Sequence, residues 1–182
     1  SELCPFLSLS DDPLVQEPDP QKIADVADYA ILSLPNGIAS QLVPQLLDKN
    51  VRVVDLSADY RYRSLDQWSQ VYVSEATRYK RTDADLCSEA VYGLPEWKGK
   101  EISRAKLVAA PGCFPTASLL ALLPFLNQGL LENDGLIIDA KSGTSGGGRT
   151  AKENLLLAEA SESVAPYAVI GHRHTSEIEQ LA

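Results

Sequence analysis

Apolar residues in this chain fall into short runs separated by polar breaks that glycine and proline mark. "YAILSL" (29–34) ends at Pro35-Asn36-Gly37, and "VRVVDLS" (51–57) ends among Asp55, Ser57 and Asp59. Runs of this length bounded by turn residues predict buried strands. Between them "IASQLVPQLLDKN" carries apolar residues at helical spacing. Residues 29–57 therefore predict strand, helix, strand, the βαβ pattern of a parallel sheet, whose functional loops lie at the carboxyl ends of its strands. "AKLVAAPGC" predicts a third strand, leading into an apolar helix that starts near Pro115 in "PTASLLALLPFL". Beyond it the pattern predicts a strand in "GLIIDAKSG", a glycine loop, a helix in "AKENLLLAEA", a last strand in "VAPYAVIGHRH" and the start of a helix in "TSEIEQLA". Residues 1–20, rich in Pro, Asp and Ser, predict an irregular lead-in. The polar, aromatic stretch 58–97 shows little period and predicts a long loop of functional importance.

Composition narrows the class of function. With 182 residues and 45% hydrophobic content the chain is expected to be globular, with one or two domains. Acids outnumber bases 25 to 16, and the net charge of −9 disfavours nucleic acid or an anionic membrane as partner, so an anionic substrate must be met by a local cluster. The longest apolar run, "LLALLPFL", falls far short of the roughly 20 residues that span a bilayer. Cys4, Cys87 and Cys113 are odd in number and lack CxxC spacing, so neither a disulfide framework nor a zinc finger is indicated. A soluble protein of the cytoplasm or an organelle stroma is expected.

Candidate chemistry starts at "AAPGCFPT". A strand, a Pro-Gly turn and a helix start put Cys113 where free first-turn N–H groups and the positive end of the helix dipole stabilise a thiolate. The competing reading is a buried cysteine packed as a small hydrophobe. The only two histidines, His172 and His174, stand in "GHRH" at i, i+2 and share one face of the expected strand. They read either as a solvated pair at a strand end with no role, or as a general acid or base with Arg173 or a neighbour meeting an anion. A metal half-site is disfavoured because no acidic or cysteine ligand stands at suitable spacing. "GTSGGGRT" matches a phosphate-cradling P-loop except that Arg149 stands where lysine belongs, and no magnesium-binding aspartate strand follows it. Its glycines instead let backbone approach a ligand closely.

Taken in order, "LPNGIAS", "VVDLSADYR", "YGLPEW", "AAPGCFPTASLLALLPFL", "SGTSGGGRTA" and "GHRHTSEIEQ" resemble the N-acetyl-γ-glutamyl-phosphate reductases, which belong with the semialdehyde dehydrogenases. The resemblance runs over nearly all of residues 20–182. It implies NADP-dependent reduction of a small-molecule substrate, N-acetyl-glutamyl 5-phosphate, to the semialdehyde in arginine biosynthesis. The reaction would pass through a thioester on Cys113, with His172, or else His174, as acid and base. It further implies cofactor contacts at Ser145, Gly146 and Gly147, substrate contacts at Arg149 and Arg61, no metal, and a homo-oligomer. The family's opening G-x-x-G-x-x-G dinucleotide loop has no counterpart here. The expected fold is thus α/β: the later part of a Rossmann-type parallel sheet domain (1–112), then the first part of an α/β catalytic domain (113–182).

Overall fold

A computed structural model of the chain describes residues 16–132, 134–148 and 150–182. Cys4, most of the lead-in and Arg149 lie outside the described residues. Four strands, β1 (Tyr29–Leu32), β2 (Arg52–Asp55), β3 (Val91–Tyr92) and β4 (Leu107–Ala109), form one parallel sheet in the order β1-β2-β4-β3. Leu32 pairs with Asp55, Asp55 with Ala109, and Ala109 with Tyr92, so four strand ends stand in one row. Every loop leaving that row starts from the same edge of the sheet.

The helices among the described residues are α1 (Pro20–Ala24), α2 (Ala39–Asp48), α3 (Leu65–Val71), α4 (Val73–Arg78), α5 (Ala84–Glu89), α6 (Pro95–Ile102), α7 (Cys113–Leu126), α8 (Leu157–Ala160) and α9 (Arg173–Glu179). Ala39, Leu42, Val43 and Leu46 bury one stripe of α2 against Leu32, Val53 and Leu107 of the sheet. Its first turn is capped from another loop: the Asp59 carboxylate accepts the Gly37 N–H at 2.7 Å and the Ser40 N–H at 3.0 Å. It stops at Asn50, whose left-handed backbone (φ 62) lets the Val51 N–H return to the Leu46 carbonyl at 3.0 Å. A second cluster, Tyr92, Leu94, Leu119 and Leu123, with Ile178 and Leu181 packed on it, seats α7 and α9 beside β3.

The structure differs from the sequence pattern in three places. The stretch 58–97 is not a long loop; it carries α3, α4, α5, β3 and the start of α6. Tertiary contacts hold these short helices: Trp68 and Tyr72 stack at 5.8 Å, and Arg81 lies 4.6 Å from the Trp68 ring and 2.8 Å from the Asp83 carboxylate. The strands expected in "GLIIDAKSG" and "VAPYAVIGHRH" do not form, because no described strand lies beside either segment to supply a ladder. Ile137 and Ile170 are left 94% and 96% exposed. The helix expected in "AKENLLLAEA" is a 3₁₀ turn at Glu153–Leu155 followed by the four-residue α8.

Candidate active site at the start of helix α7

β4 ends at Ala109 and α7 opens at Cys113, two residues before the expected start, so Ala110, Pro111 and Gly112 make the entire turn. Both neighbouring strands hold it in place. Gly93 N–H donates to the Ala109 carbonyl at 2.7 Å, and Ala110 N–H donates to the Asp55 carbonyl at 2.8 Å. The first turn closes through Thr116 N–H to the Gly112 carbonyl at 2.9 Å, and Pro115 sits where no intrahelical donor is needed. Cys113 is exposed at the positive end of this fourteen-residue helix, whereas Cys87 is 1% exposed and burial pushes its thiol pKa up.

α9 brings the histidines to this turn. His172 is the N-cap of α9, and its Nδ1 accepts the His174 N–H at 3.1 Å. A neutral His172 therefore carries its proton on Nε2. The His174 ring lies against Gly112: a Cβ built there would stand 2.6 Å from His174 Nε2 and 3.0 Å from Arg61 Nη1. Phe114, next to the cysteine, meets the rings of His172 and His174 edge-on at 5.4 and 6.1 Å, and Tyr167 meets His172 at 5.5 Å. Thus two imidazoles and the Tyr167 ring pack around Phe114, next to Cys113.

Burial and the neighbouring Arg173 charge lower the His172 pKa. Burial, then His172, Arg61 and Arg173, bring His174 down to about 4, and its Nδ1 has no partner among the described residues. Both shifts favour the neutral ring. The folded value for His174 lies below the ordinary 6.5, so its contribution to stability is complete above pH 6.5 and is lost as the pH falls through about 4. Between those limits the full-length protein is expected to lose thermal stability as the pH falls, and a His174→Asn variant to lose less. Parallel pH curves for the two proteins would refute the assignment.

Arg61 reaches the same turn from the loop after β2. Its Nε donates to the Ala110 carbonyl at 2.8 Å, Nη2 to the Leu56 carbonyl at 3.0 Å, and Nη1 pairs with Glu177 at 3.4 Å. Three of its roughly five N–H donors are engaged, so it offers charge more than free hydrogen bonds. Ser145, Gly146 and Gly147 lie in an exposed 3₁₀ turn, Thr144–Gly147. Among the described residues no hydrogen bond or ring contact joins that turn to Cys113, His172 or His174. Beside it lies a cavity of about 260 Å³ lined by Thr144, Ser145, Gly148, Lys152 and Leu155. A complete small-molecule site occupies about 300–1,000 Å³. The cavity is smaller than that, and of the three residues expected at the cofactor only Ser145 lines it.

Sequence reasoning missed Glu177, Tyr92, Tyr62 and Gln180. Glu177 is fully buried and accepts from Tyr92 Oη at 2.7 Å and from Gly112 N–H at 2.9 Å. Burial and the Glu177 charge together push the Tyr92 hydroxyl pKa far up. Tyr62 Oη donates to the Arg173 carbonyl at 3.1 Å, and Gln180 Nε2 donates to the Arg61 carbonyl at 2.9 Å. The available signal was the helical spacing of His174 and Glu177, three apart and so on one face of α9.

The carboxyl edge of the parallel sheet thus carries a cysteine-led helix with two histidines packed beside its first turn. The semialdehyde dehydrogenase NAD binding domain matches residues 1–105, and the semialdehyde dehydrogenase dimerisation domain matches residues 113–182. The chain belongs to the semialdehyde dehydrogenase family. Within it, the chain is 78% identical over all 182 residues to the N-acetyl-gamma-glutamyl-phosphate reductase of Prochlorococcus marinus strain MIT 9313. It is 70% identical over the same span to the enzymes of that name from Parasynechococcus marenigrum strain WH8102 and Synechococcus sp. strain CC9605. The chain spans about half (51%) of the length of each. No helix among the described residues is long and apolar enough to cross a membrane.

Proposed function

We propose that the protein containing this chain reduces N-acetyl-glutamyl 5-phosphate to N-acetyl-glutamate 5-semialdehyde and phosphate, with NADPH as reductant and Cys113 as nucleophile. The observation that carries this reading is an exposed Cys113 at the first position of α7, whose neighbours Gly112 and Phe114 lie against the His174 ring and, for Phe114, the His172 ring as well. The names of the relatives supply the substrate class. The division into a cofactor domain ending near Gly112 and a catalytic domain starting at Cys113 belongs to the same proposal, as does assembly of identical chains through the second domain.

The Cys113 sulfur attacks the acyl carbon, the bond from that carbon to the phosphate oxygen breaks, and phosphate leaves with the bonding pair. When bound, the reduced nicotinamide supplies a hydride for the resulting thioester carbon. The C–S bond then breaks with its electron pair returning to sulfur, which frees the aldehyde. His172 Nε2, protonated while Nδ1 accepts from the backbone, donates to the substrate oxygen as negative charge grows on it. Arg61 and Arg149 supply positive charge for the phosphate or the substrate carboxylate. Ser145, Gly146 and Gly147 hold the cofactor where the glycines let it approach the backbone.

Alkylation tests the reading. At neutral pH iodoacetamide is expected to modify Cys113 well before the buried Cys87, and saturating N-acetyl-glutamyl phosphate is expected to protect Cys113. Equal modification of the two cysteines, or no protection, would count against it.

A further inference from the structure

The proposed nucleophile and the proposed proton donor stand on different elements. Cys113 belongs to the turn after β4, and His172 to the start of α9. One buried side chain ties the two together. Glu177 lies on α9 and is wholly enclosed, and its Oε1 accepts the N–H of Gly112, the residue before Cys113, at 2.9 Å. The same oxygen accepts from Tyr92 Oη at 2.7 Å, which anchors it to β3. Oε2 faces Arg61 Nη1 at 3.4 Å, and Arg61 in turn holds the Ala110 carbonyl at 2.8 Å. The backbone on the amino side of Cys113 is thus gripped directly by Glu177 and, two residues back, through Arg61.

We propose that Glu177 is a positioning residue: its carboxylate sets the distance between Cys113 and His172 by fixing the Gly112 N–H to helix α9. The proposal rests on the reading of Cys113 as nucleophile. A buried carboxylate could instead serve only as the counter-charge of Arg61, and the two roles call for different atoms. Positioning needs an acceptor at the place of Oε1; charge balance needs only a negative group nearby.

Two substitutions in the full-length protein separate them. Glu177→Gln keeps the acceptor for Gly112 and Tyr92 but removes the charge. Glu177→Asp keeps the charge but draws the acceptor back by one C–C bond, about 1.5 Å. Misplacement on the order of 1 Å costs up to about 100-fold in rate. The expected result is a glutamine variant whose kcat stays within about threefold of the parent, and an aspartate variant whose kcat falls about 10- to 100-fold. KM for the acyl phosphate should move less than about twofold in the aspartate variant, whose carboxylate keeps the charge beside Arg61 and does not touch substrate. Amide exchange at Gly112 should stay slow in the glutamine variant and accelerate in the aspartate variant.

The reverse order of kcat, or an aspartate variant as active as the parent, would overturn the inference. If the aspartate variant does not fold, the glutamine variant decides: a kcat within about threefold upholds the role, and any larger fall overturns it. Cys113→Ser measured alongside keeps the two readings apart. Full activity in that variant would defeat the nucleophile assignment, whereas its inactivity beside a fully active Glu177→Asp would defeat the positioning role alone.

Discussion

Cys113→Ala, introduced into the full-length protein, is expected to lower reduction of the acyl phosphate by at least about 10⁴-fold, because the proposed thioester forms on this sulfur. Phosphate release should disappear together with NADPH oxidation, since breaking the acyl–phosphate bond is the step proposed for the sulfur. Cys113→Ser should recover very little, because a hydroxyl at the same place is a far weaker nucleophile than a thiolate. Neither substitution should disturb the fold, since Cys113 is exposed and the helix is anchored by Leu119 and Leu123 in the core beside β3. Unchanged thermal unfolding with abolished turnover is the signature to look for. Comparable losses of stability and activity would instead mark a packing role.

Gly112→Val is expected to act through the same turn by steric conflict. The Gly112 backbone, φ −66 and ψ 162, suits any residue, so strain in the chain is not the reason a side chain is excluded there. The reason is space: a Cβ would stand 2.6 Å from His174 Nε2, 2.9 Å from its Cε1 and 3.0 Å from Arg61 Nη1. Neither neighbour moves freely, because His174 is fixed on α9 and Arg61 holds two carbonyls and Glu177. Overpacking of this kind costs about 1–3 kcal/mol. Displacing the turn from the histidines should also lower kcat about 100-fold. Gly112→Ala meets the same atoms with a smaller group and should fall between parent and valine in both measurements. A valine variant with parental kcat would show that His174 does not need its place over the turn.

The strands that could be read from the pattern are those spelled by short apolar runs between turn residues: "YAILSL", "VRVVDLS" and "AKLVAAPGC" each contain a strand of the sheet. Only β4 is buried at every position, whereas Tyr29 and Ile31 of β1 are 63% and 71% exposed. β3 could not be read: Val91 and Tyr92 are only two residues, and they belong to the sheet because β4 lies beside them. The short helices α3 to α5 show no clear stripe because long-range aromatic and arginine contacts hold them. Residues 136–140 and 164–171 make the opposite point. Their composition favours strands, yet strand formation requires a partner, and no described residue supplies one.

The site divides along the same line. Cys113 was legible because turn and helix start adjoin it in sequence, and the histidines because they stand together. Glu177 was not, since its partners Gly112 and Tyr92 lie 65 and 85 residues away. A glutamate in "TSEIEQ" reads as a solvated helix residue until the fold encloses it. Arg61 was legible as a charge but not as a brace, because its carbonyl partners carry no side-chain signature.

The decisive measurement is the capture of the acyl-enzyme. The full-length protein would be mixed with N-acetyl-glutamyl phosphate without NADPH, quenched in acid, and digested for peptide mass analysis while released phosphate is counted. A burst of about one phosphate per active site is expected, with the N-acetyl-glutamyl group on the peptide carrying Cys113 and released by hydroxylamine. Full turnover on later addition of NADPH, with no burst and no acyl group on Cys113, would contradict the thioester route.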